Sequence, residues 1–225
     1  MGAPSLLLDV LTSPRVMARG GSLGWSRMEI TETSHRSAVL ERLFVSHRGD
    51  REIPGVIWSP PEGPSGPLVL LGHGGSGSVF DEYIVALARG LVRDHGCICV
   101  AIDGPVHGRR RGERSDDPQL VLLDFSQVWA GDTSMTDEMV ADWRHVLDEV
   151  LTQLDLGTRQ IGYWGLSMGT ILGLPLVAAE ERISAAVLGL AGLTGPTRPR
   201  FEEDARRVMC PVFFVAQWDL SLIHI

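Results

Sequence analysis

Short runs that are apolar at nearly every position recur along this chain, separated by segments with helical spacing. They are residues 68–71 (Leu-Val-Leu-Leu), 97–102, 161–164, 185–190 and 211–216. A strand with one face in water alternates apolar and polar side chains. A strand apolar throughout is covered on both faces, which is the situation of a parallel sheet between two layers of helices. Residues 81–93 place Ile84, Leu87, Leu91 and Val92 on one helical face, and residues 133–154 do the same with Met139, Trp143, Val146, Leu147 and Val150. Strand-like segments at 42–48 and 55–59, and a candidate strand at 25–33, precede a Pro- and Gly-rich turn at 60–67. The expected fold class is α/β, a mostly parallel, doubly wound sheet flanked by helices.

The chain has 225 residues, without repeats or an internal linker, which suits a single such domain. Hydrophobic residues make up 44% and charged residues 21%, enough to bury a sizeable core. A net charge of -8 offers no broad basic face, so nucleic acid is not an expected partner. No segment is long and apolar enough to span a bilayer, so no membrane partner is expected either. Leu6-Leu7-Leu8 is followed by Asp9 and preceded by no basic side chain, a poor secretory signal. Cys97, Cys99 and Cys210 match no zinc spacing and lie in or beside apolar runs, so inert buried thiols are expected. The odd cysteine count suits a reducing compartment, and a cytoplasmic location is the default expectation.

The motif with the most chemistry in it is Gly165-Leu166-Ser167-Met168-Gly169, a G-x-S-x-G between the apolar run 161–164 and a helix-like segment at 170–179. A serine held up at the carboxyl end of a sheet needs a sharp, strained strand-to-helix turn. The flanking glycines let neighbouring backbone approach where a Cβ would clash. Ser167 is therefore the expected nucleophile. A second motif, Gly72-His73-Gly74-Gly75-Ser76-Gly77, directly follows the strand ending at Leu71. Such a loop can aim backbone N–H groups into a cleft. In an ester hydrolase it supplies one donor to the oxyanion, and the residue after the nucleophile supplies the other. Met168 would be the second donor. Gly75 is favoured for the first, with Ser76 as the alternative. The rival reading is a dinucleotide site: Gly72, Gly74 and Gly77 satisfy G-x-G-x-x-G, and Asp103 ends the next strand. That reading leaves the serine turn unexplained, and no lysine is spaced for a P-loop.

These residues, together with Asp103-Gly104-Pro105-Val106-His107-Gly108 and the strand 211–216 followed by Asp219, resemble the α/β-hydrolase superfamily. Within it the chain is similar to dienelactone-hydrolase-like and prolyl-oligopeptidase-like esterases. The resemblance implies a serine hydrolase acting on a small-molecule ester or related acyl substrate, without metal or cofactor. It implies an acid after the penultimate strand, which falls on Asp219, and a histidine after the last strand. It also implies that His73, with Gly74, supports the oxyanion loop rather than acting as the base, and His107 is given a similar structural part. Acyl transfer, peptidase activity or a non-catalytic binding module on the same fold are the alternatives. Arg109-Arg110-Arg111 and Arg114 stand beside Glu113, Asp116 and Asp117, so a self-compensating loop is expected rather than an anion site. Phe125 and Trp129 either wall the substrate pocket or belong to the core.

The resemblance also calls for a further helix, strand and histidine loop beyond Asp219. Only Leu220-Ser221-Leu222-Ile223-His224-Ile225 follow, and His224 comes too soon after the acid to serve as base. That hexapeptide is what a common transposon-type sequencing adapter encodes when read through. The expected organisation is a loosely ordered extension at 1–24, an α/β-hydrolase domain at 25–219 lacking its last strand and helix, and an adapter-derived tail at 220–225.

Overall fold

The computed structural model describes residues 28–217 apart from Ser37, Pro64, Thr133 and Thr194. The expected extension, Asp219 and the tail lie outside the described residues. The chain builds one 8-stranded sheet in the order β1-β2-β3-β5-β4-β6-β7-β8. Its parallel half is β5 (Ile98–Ile102), β4 (Leu68–Gly72), β6 (Ile161–Leu166), β7 (Ile183–Gly189) and β8 (Val212–Val215). Each of the continuous apolar runs lies on one of these strands. The mostly parallel, doubly wound sheet is therefore as expected from the sequence.

The other side differs in detail from the sequence reading. β1 (Glu29–Arg36), β2 (Val39–Arg48) and β3 (Arg51–Ser59) form an antiparallel meander, and β3 joins the parallel half by an antiparallel pairing with β5. The segments read as separate strands at 42–48 and 55–59 are one hairpin. Gly49, at φ 61°, and Asp50 are its two-residue turn, and a Gly-first pair fits the twist of a tight hairpin.

Strand alternation sorts the core into two layers. Leu68, Leu70, Ile98, Val100 and Ile102 face α3 (Met135–Gln153) and α4 (Met168–Ala179), where they meet Trp143, Val146, Leu147, Leu172 and Leu176. Leu71, Cys99 and Ala101 face the opposite way, onto Ile84, Ala88 and Val92 of α1 (Glu82–His95). The α3 stripe predicted from spacing is buried at every position. On α1 the buried residues are Ile84, Ala88 and Val92, with Leu87 and Leu91 at the margin, because a helix lying on a sheet buries a narrower stripe than its apolar residues suggest. Each fully buried aliphatic side chain here contributes roughly 1.5–3 kcal/mol. Cys97 and Cys99 are buried as expected, whereas Cys210 is half-buried.

Two further helices were not read from the sequence: α2 (Pro118–Gly131) and α5 (Arg198–Arg207). α2 starts on a cap with a clear cause. The Asp117 carboxylate accepts the N–H groups of Gln119 at 2.9 Å and Leu120 at 3.3 Å, and Pro118 occupies the first helical turn. No helix among the described residues is long and apolar enough to cross a membrane.

The chain leaves β4 toward β5 on one side and returns to β6 on the other. The carboxyl ends of β4 and β6 are thus adjacent at a switch in strand order, with Gly72 paired to Gly165. Open α/β sheets bind ligands in such a crevice. Here it brings the two glycine motifs side by side.

Candidate active site

Ser167 stands between β6 and α4 at φ 55°, ψ -119°, a region that disfavours a residue with a Cβ. Holding it there costs of order 1–3 kcal/mol, so the surroundings must over-determine the turn. They do so largely through backbone. A Cβ on Gly165 would stand 2.4 Å from the Gly169 carbonyl oxygen, and one on Gly169 would stand 2.3 Å from that of Gly72. The Ser167 N–H donates to the Gly189 carbonyl at 2.9 Å, tying the turn to the end of β7. The Thr170 hydroxyl lies 2.7 Å from the carbonyls of Gly165 and Gly189 and accepts the Gly189 N–H at 2.7 Å. Beneath the turn, the buried Tyr163 hydroxyl donates to the Gly169 carbonyl at 2.7 Å.

The loop after β4 is held with equal care. A Cβ at Gly72 would meet the Tyr163 hydroxyl at 2.1 Å, so β4 packs directly on the support of the serine turn. The Gly74 N–H donates to the Tyr83 hydroxyl at 2.6 Å, which commits that donor elsewhere. Gly75 is the next residue, and the space beside it is shared: a Cβ there would lie 3.5 Å from Met168 Cβ, 3.3 Å from Phe125 Cδ1 and 3.5 Å from Leu122 Cδ1. Met168 opens α4, and an N–H in the first helical turn has no intrahelical acceptor. Gly75 and Met168, the two backbone donors expected from the sequence, thus lie beside one another.

Two buried imidazoles fix the carbonyls of that loop. Gly104 N–H donates to His73 Nε2 at 2.8 Å, so the His73 proton sits on Nδ1, which donates to the Gly74 carbonyl at 2.8 Å. His107 presents Nε2 to the Gly75 carbonyl at 3.1 Å and Nδ1 to that of Pro105. The rings meet edge to face with centroids 5.1 Å apart. Burial, aided for His73 by the nearby Arg110 charge and for His107 by His73 itself, pushes both pKa values down to about 4. Both rings are therefore neutral near pH 7; His73 engages backbone through both nitrogens, whereas His107 has one N–H to share between the two carbonyls it faces.

Asp103, fully buried at the end of β5, accepts the N–H groups of Val79 at 3.2 Å and Arg109 at 3.0 Å. It fastens two loops beside the crevice and is closed to a ribose, which removes the dinucleotide reading. Of the three consecutive arginines, Arg110 and Arg111 are largely buried and Arg109 is half-buried. Arg109 donates to the carbonyls of Phe44 at 3.2 Å and Gly55 at 2.6 Å, and Arg110 pairs with the buried Asp142 at 2.8 Å. Arg111 donates to the carbonyls of Ser115 and Val106 at 2.9 Å and pairs with Asp124 at 3.1 Å. Asp142 also binds Arg48 and Arg51, and its carboxyl is held below the ordinary range by these cations against the pull of burial.

Among the predicted site residues, the structure brings Ser167, Met168, Gly75, Gly74 and His73 together, while Asp219 lies outside the described residues. The sequence reading missed Tyr83 as a partner of Gly74 and Leu122 as a neighbour of Gly75. Tyr83 lies nine positions from its partner, with nothing in its local pattern to mark it. Phe125 is buried against the loop, and Trp129 stacks on it with centroids 5.9 Å apart. Among the described residues no cluster of three or more His, Cys, Asp or Glu side chains is placed to hold a metal ion.

Solved structures with the same fold are numerous. A cold-adapted esterase from an Arctic intertidal metagenomic library, in a PEG-bound complex, is 41% identical over 84% of this chain and 76% of its own, with a TM-score of 0.74. A dienelactone-hydrolase-like promiscuous phosphotriesterase from metagenomic libraries is 21% identical, covering 81% of this chain and 70% of its own at a TM-score of 0.60. A dienelactone hydrolase from Anabaena variabilis is 15% identical over 80% and 87%, with a TM-score of 0.53. The latter two speak for the fold alone. No family model and no curated protein matches the chain.

Proposed function

The chain belongs with the α/β-hydrolase esterases represented by the cold-adapted esterase it matches, and from that premise we propose that it cleaves a carboxylic ester or related acyl bond of a small molecule through an acyl-enzyme at Ser167. The observation that carries this reading is the strained Ser167 turn beside the Gly75 loop, both at the crevice where β4 and β6 end.

Ser167 Oγ attacks the ester carbonyl carbon and its proton passes to a histidine. The carbonyl oxygen becomes an oxyanion between the N–H groups of Gly75 and Met168. Collapse expels the alcohol, which takes the proton from the imidazolium. Water, deprotonated by the same histidine, then attacks the acyl-enzyme and frees the acid and Ser167. Neither His73 nor His107 has a ring nitrogen turned to this task. The base in this reading is a histidine C-terminal to Asp219, in the order the family resemblance implies, with Asp219 orienting it. Source DNA read beyond the Asp219 codon tests that part. An apolar strand-like run leading to a histidine supports it, and a stop codon directly after Ile225 contradicts it. In the protein carried on through that histidine, Ser167→Ala is expected to lower kcat/KM for a p-nitrophenyl ester by at least about a thousandfold. Unchanged turnover would refute the assignment.

A further inference from the structure

The loop after β5 meets the β2–β3 hairpin at the carboxyl end of the parallel strands, because β3 runs antiparallel to β5 and begins where β5 ends. A cavity of about 590 Å³ lies there, within the ordinary size of a small-molecule pocket. Arg109 and Arg110 line it from the loop, and Val45, Arg51, Glu52 and Pro54 line it from the hairpin. β3 is three strands from β6 in the sheet order, about 14 Å at the ordinary strand spacing, which sets the cavity apart from the Ser167 turn.

The arginines of this loop are unequally satisfied. Arg111 has an acceptor on each nitrogen: the carbonyls of Ser115 and Val106 and the Asp124 carboxylate. Arg110 engages only Nη1, with Asp142 at 2.8 Å. Its side chain is nine-tenths buried, and its Nε and Nη2 are buried without a partner in the protein. Those two N–H groups share one edge of the planar group and match the two oxygens of a carboxylate or phosphate. Arg109 Nε is likewise buried and unpartnered, with the Asp103 carboxylate at 3.9 Å, too far for a hydrogen bond. Asp142 divides itself among Arg48, Arg51 and Arg110. Among the described residues, the four cations Arg48, Arg51, Arg109 and Arg110 pair with three carboxylates, Glu138, Asp142 and Asp103. Glu52 is exposed, where water and salt screen its charge. Buried donors are rarely left unpaired, and an open edge on a buried cation points to a partner from outside the chain.

We propose that this cavity binds a small molecule through a carboxylate or phosphate group, held on the Arg110 edge with Arg51 and Arg109 beside it. The edge is closed to bulk water, so its partner enters through the cavity that Arg110 lines. Val45 and Pro54 give the rest of the molecule an apolar seat. An anion there completes Arg110 and balances the surplus cation, whereas a water molecule does only the first. The site does not depend on the Ser167 reading.

Titration calorimetry and thermal unfolding of the full chain test this, with sodium phosphate and sodium butyrate compared against sodium chloride at matched ionic strength. At ten times its Kd, the bound anion should raise Tm by about 3–6 °C. Either anion bound at one per chain above the chloride control supports the site, and the tighter of the two identifies the group it takes. Arg110→Lys keeps a charge beside Asp142 but loses the edge, and should weaken binding at least about tenfold. Arg51→Gln changes a half-exposed side chain and should weaken it about three- to tenfold. Ser167→Ala should bind as the unmodified protein does, within about twofold. No Tm shift beyond chloride for either anion, or unchanged affinity in both arginine variants, would overturn the proposal. Loss of binding in Ser167→Ala would overturn it too, by placing the anion at the reaction centre. If Arg110→Lys does not fold, Arg51→Gln decides.

Discussion

The turn at Ser167 and the helix α2 beside Gly75 are built by opposite means. Around Ser167 the close contacts are largely backbone on backbone: Gly165 against the Gly169 carbonyl, Gly169 against that of Gly72, and the Ser167 N–H on that of Gly189. Around α2 the contacts are side chains, with Leu122 and Phe125 beside Gly75 and Trp129 on Thr197. Leu120 and Leu123 are also exposed along its outer face. Backbone cannot move without moving the sheet, whereas side chains adjust or are exchanged at modest cost. The difference teaches that the geometry of the Ser167 turn is fixed by backbone, whereas the face of α2 beside Gly75 is built from exchangeable side chains.

The sharpest way to break this comparison is a pair of glycine replacements. Gly169→Ala drives a Cβ to 2.3 Å from a backbone oxygen of β4, and should cost about 3 kcal/mol or more in chemical denaturation along with nearly all turnover. Gly75→Ala meets only ordinary or slightly tight distances, 3.3–3.5 Å, mostly to side-chain ends, and should cost within about 1 kcal/mol. Equal losses in the two would erase the distinction.

A smaller effect is expected where side chain and backbone meet. His107→Ala removes the ring facing the Gly75 carbonyl and frees that peptide to tilt. The expected loss is about ten- to a hundredfold in kcat with KM nearly unchanged, and His107→Gln, which keeps an N–H donor, should recover part of it. A rise in KM at constant kcat would assign His107 to substrate binding instead.

The same pair of imidazoles predicts the response to acid. His73 and His107 have folded-state pKa values of about 4, below the ordinary 6.5 that the unfolded chain retains. Below 6.5 the unfolded state takes up protons that the folded state refuses. Stability is therefore fully present above that pH and falls as pH drops from 6.5 toward 4, by about 3 kcal/mol per ring as an order of magnitude. Urea midpoints across that window should fall less steeply in His107→Gln than in the unmodified protein. The smallest change concerns the anchor of α2. Trp129→Phe keeps a ring on Phe125 but loses the bond to Thr197, and should cost about 1 kcal/mol with little change in kcat.

The legibility of these regions in the sequence follows the same division. The parallel strands were visible because burial on both faces forces continuous apolar runs, and the Ser167 turn because its clashes permit glycine alone at fixed spacing. The Gly49-Asp50 hairpin was overlooked although its turn is local, since attention to apolar runs divides β2 from β3 where Arg48 and Arg51 meet. α2 was missed for a physical reason. With leucines exposed beside the buried Val121 and Phe125, its pattern does not show a helical period, and only the Asp117-Pro118 start signals it. The clamp on Gly75 was illegible because His107 is 32 positions away, and the turn of chain that closes that distance is a property of the sheet rather than of either segment.

The central claim is that Ser167 is the nucleophile, and the most direct measurement is peptide mass spectrometry after reaction with a fluorophosphonate. The account predicts one adduct, on the peptide carrying Ser167, formed in step with the loss of esterase activity. An adduct on another residue such as Ser76, or full inactivation with Ser167 unmodified, would contradict it.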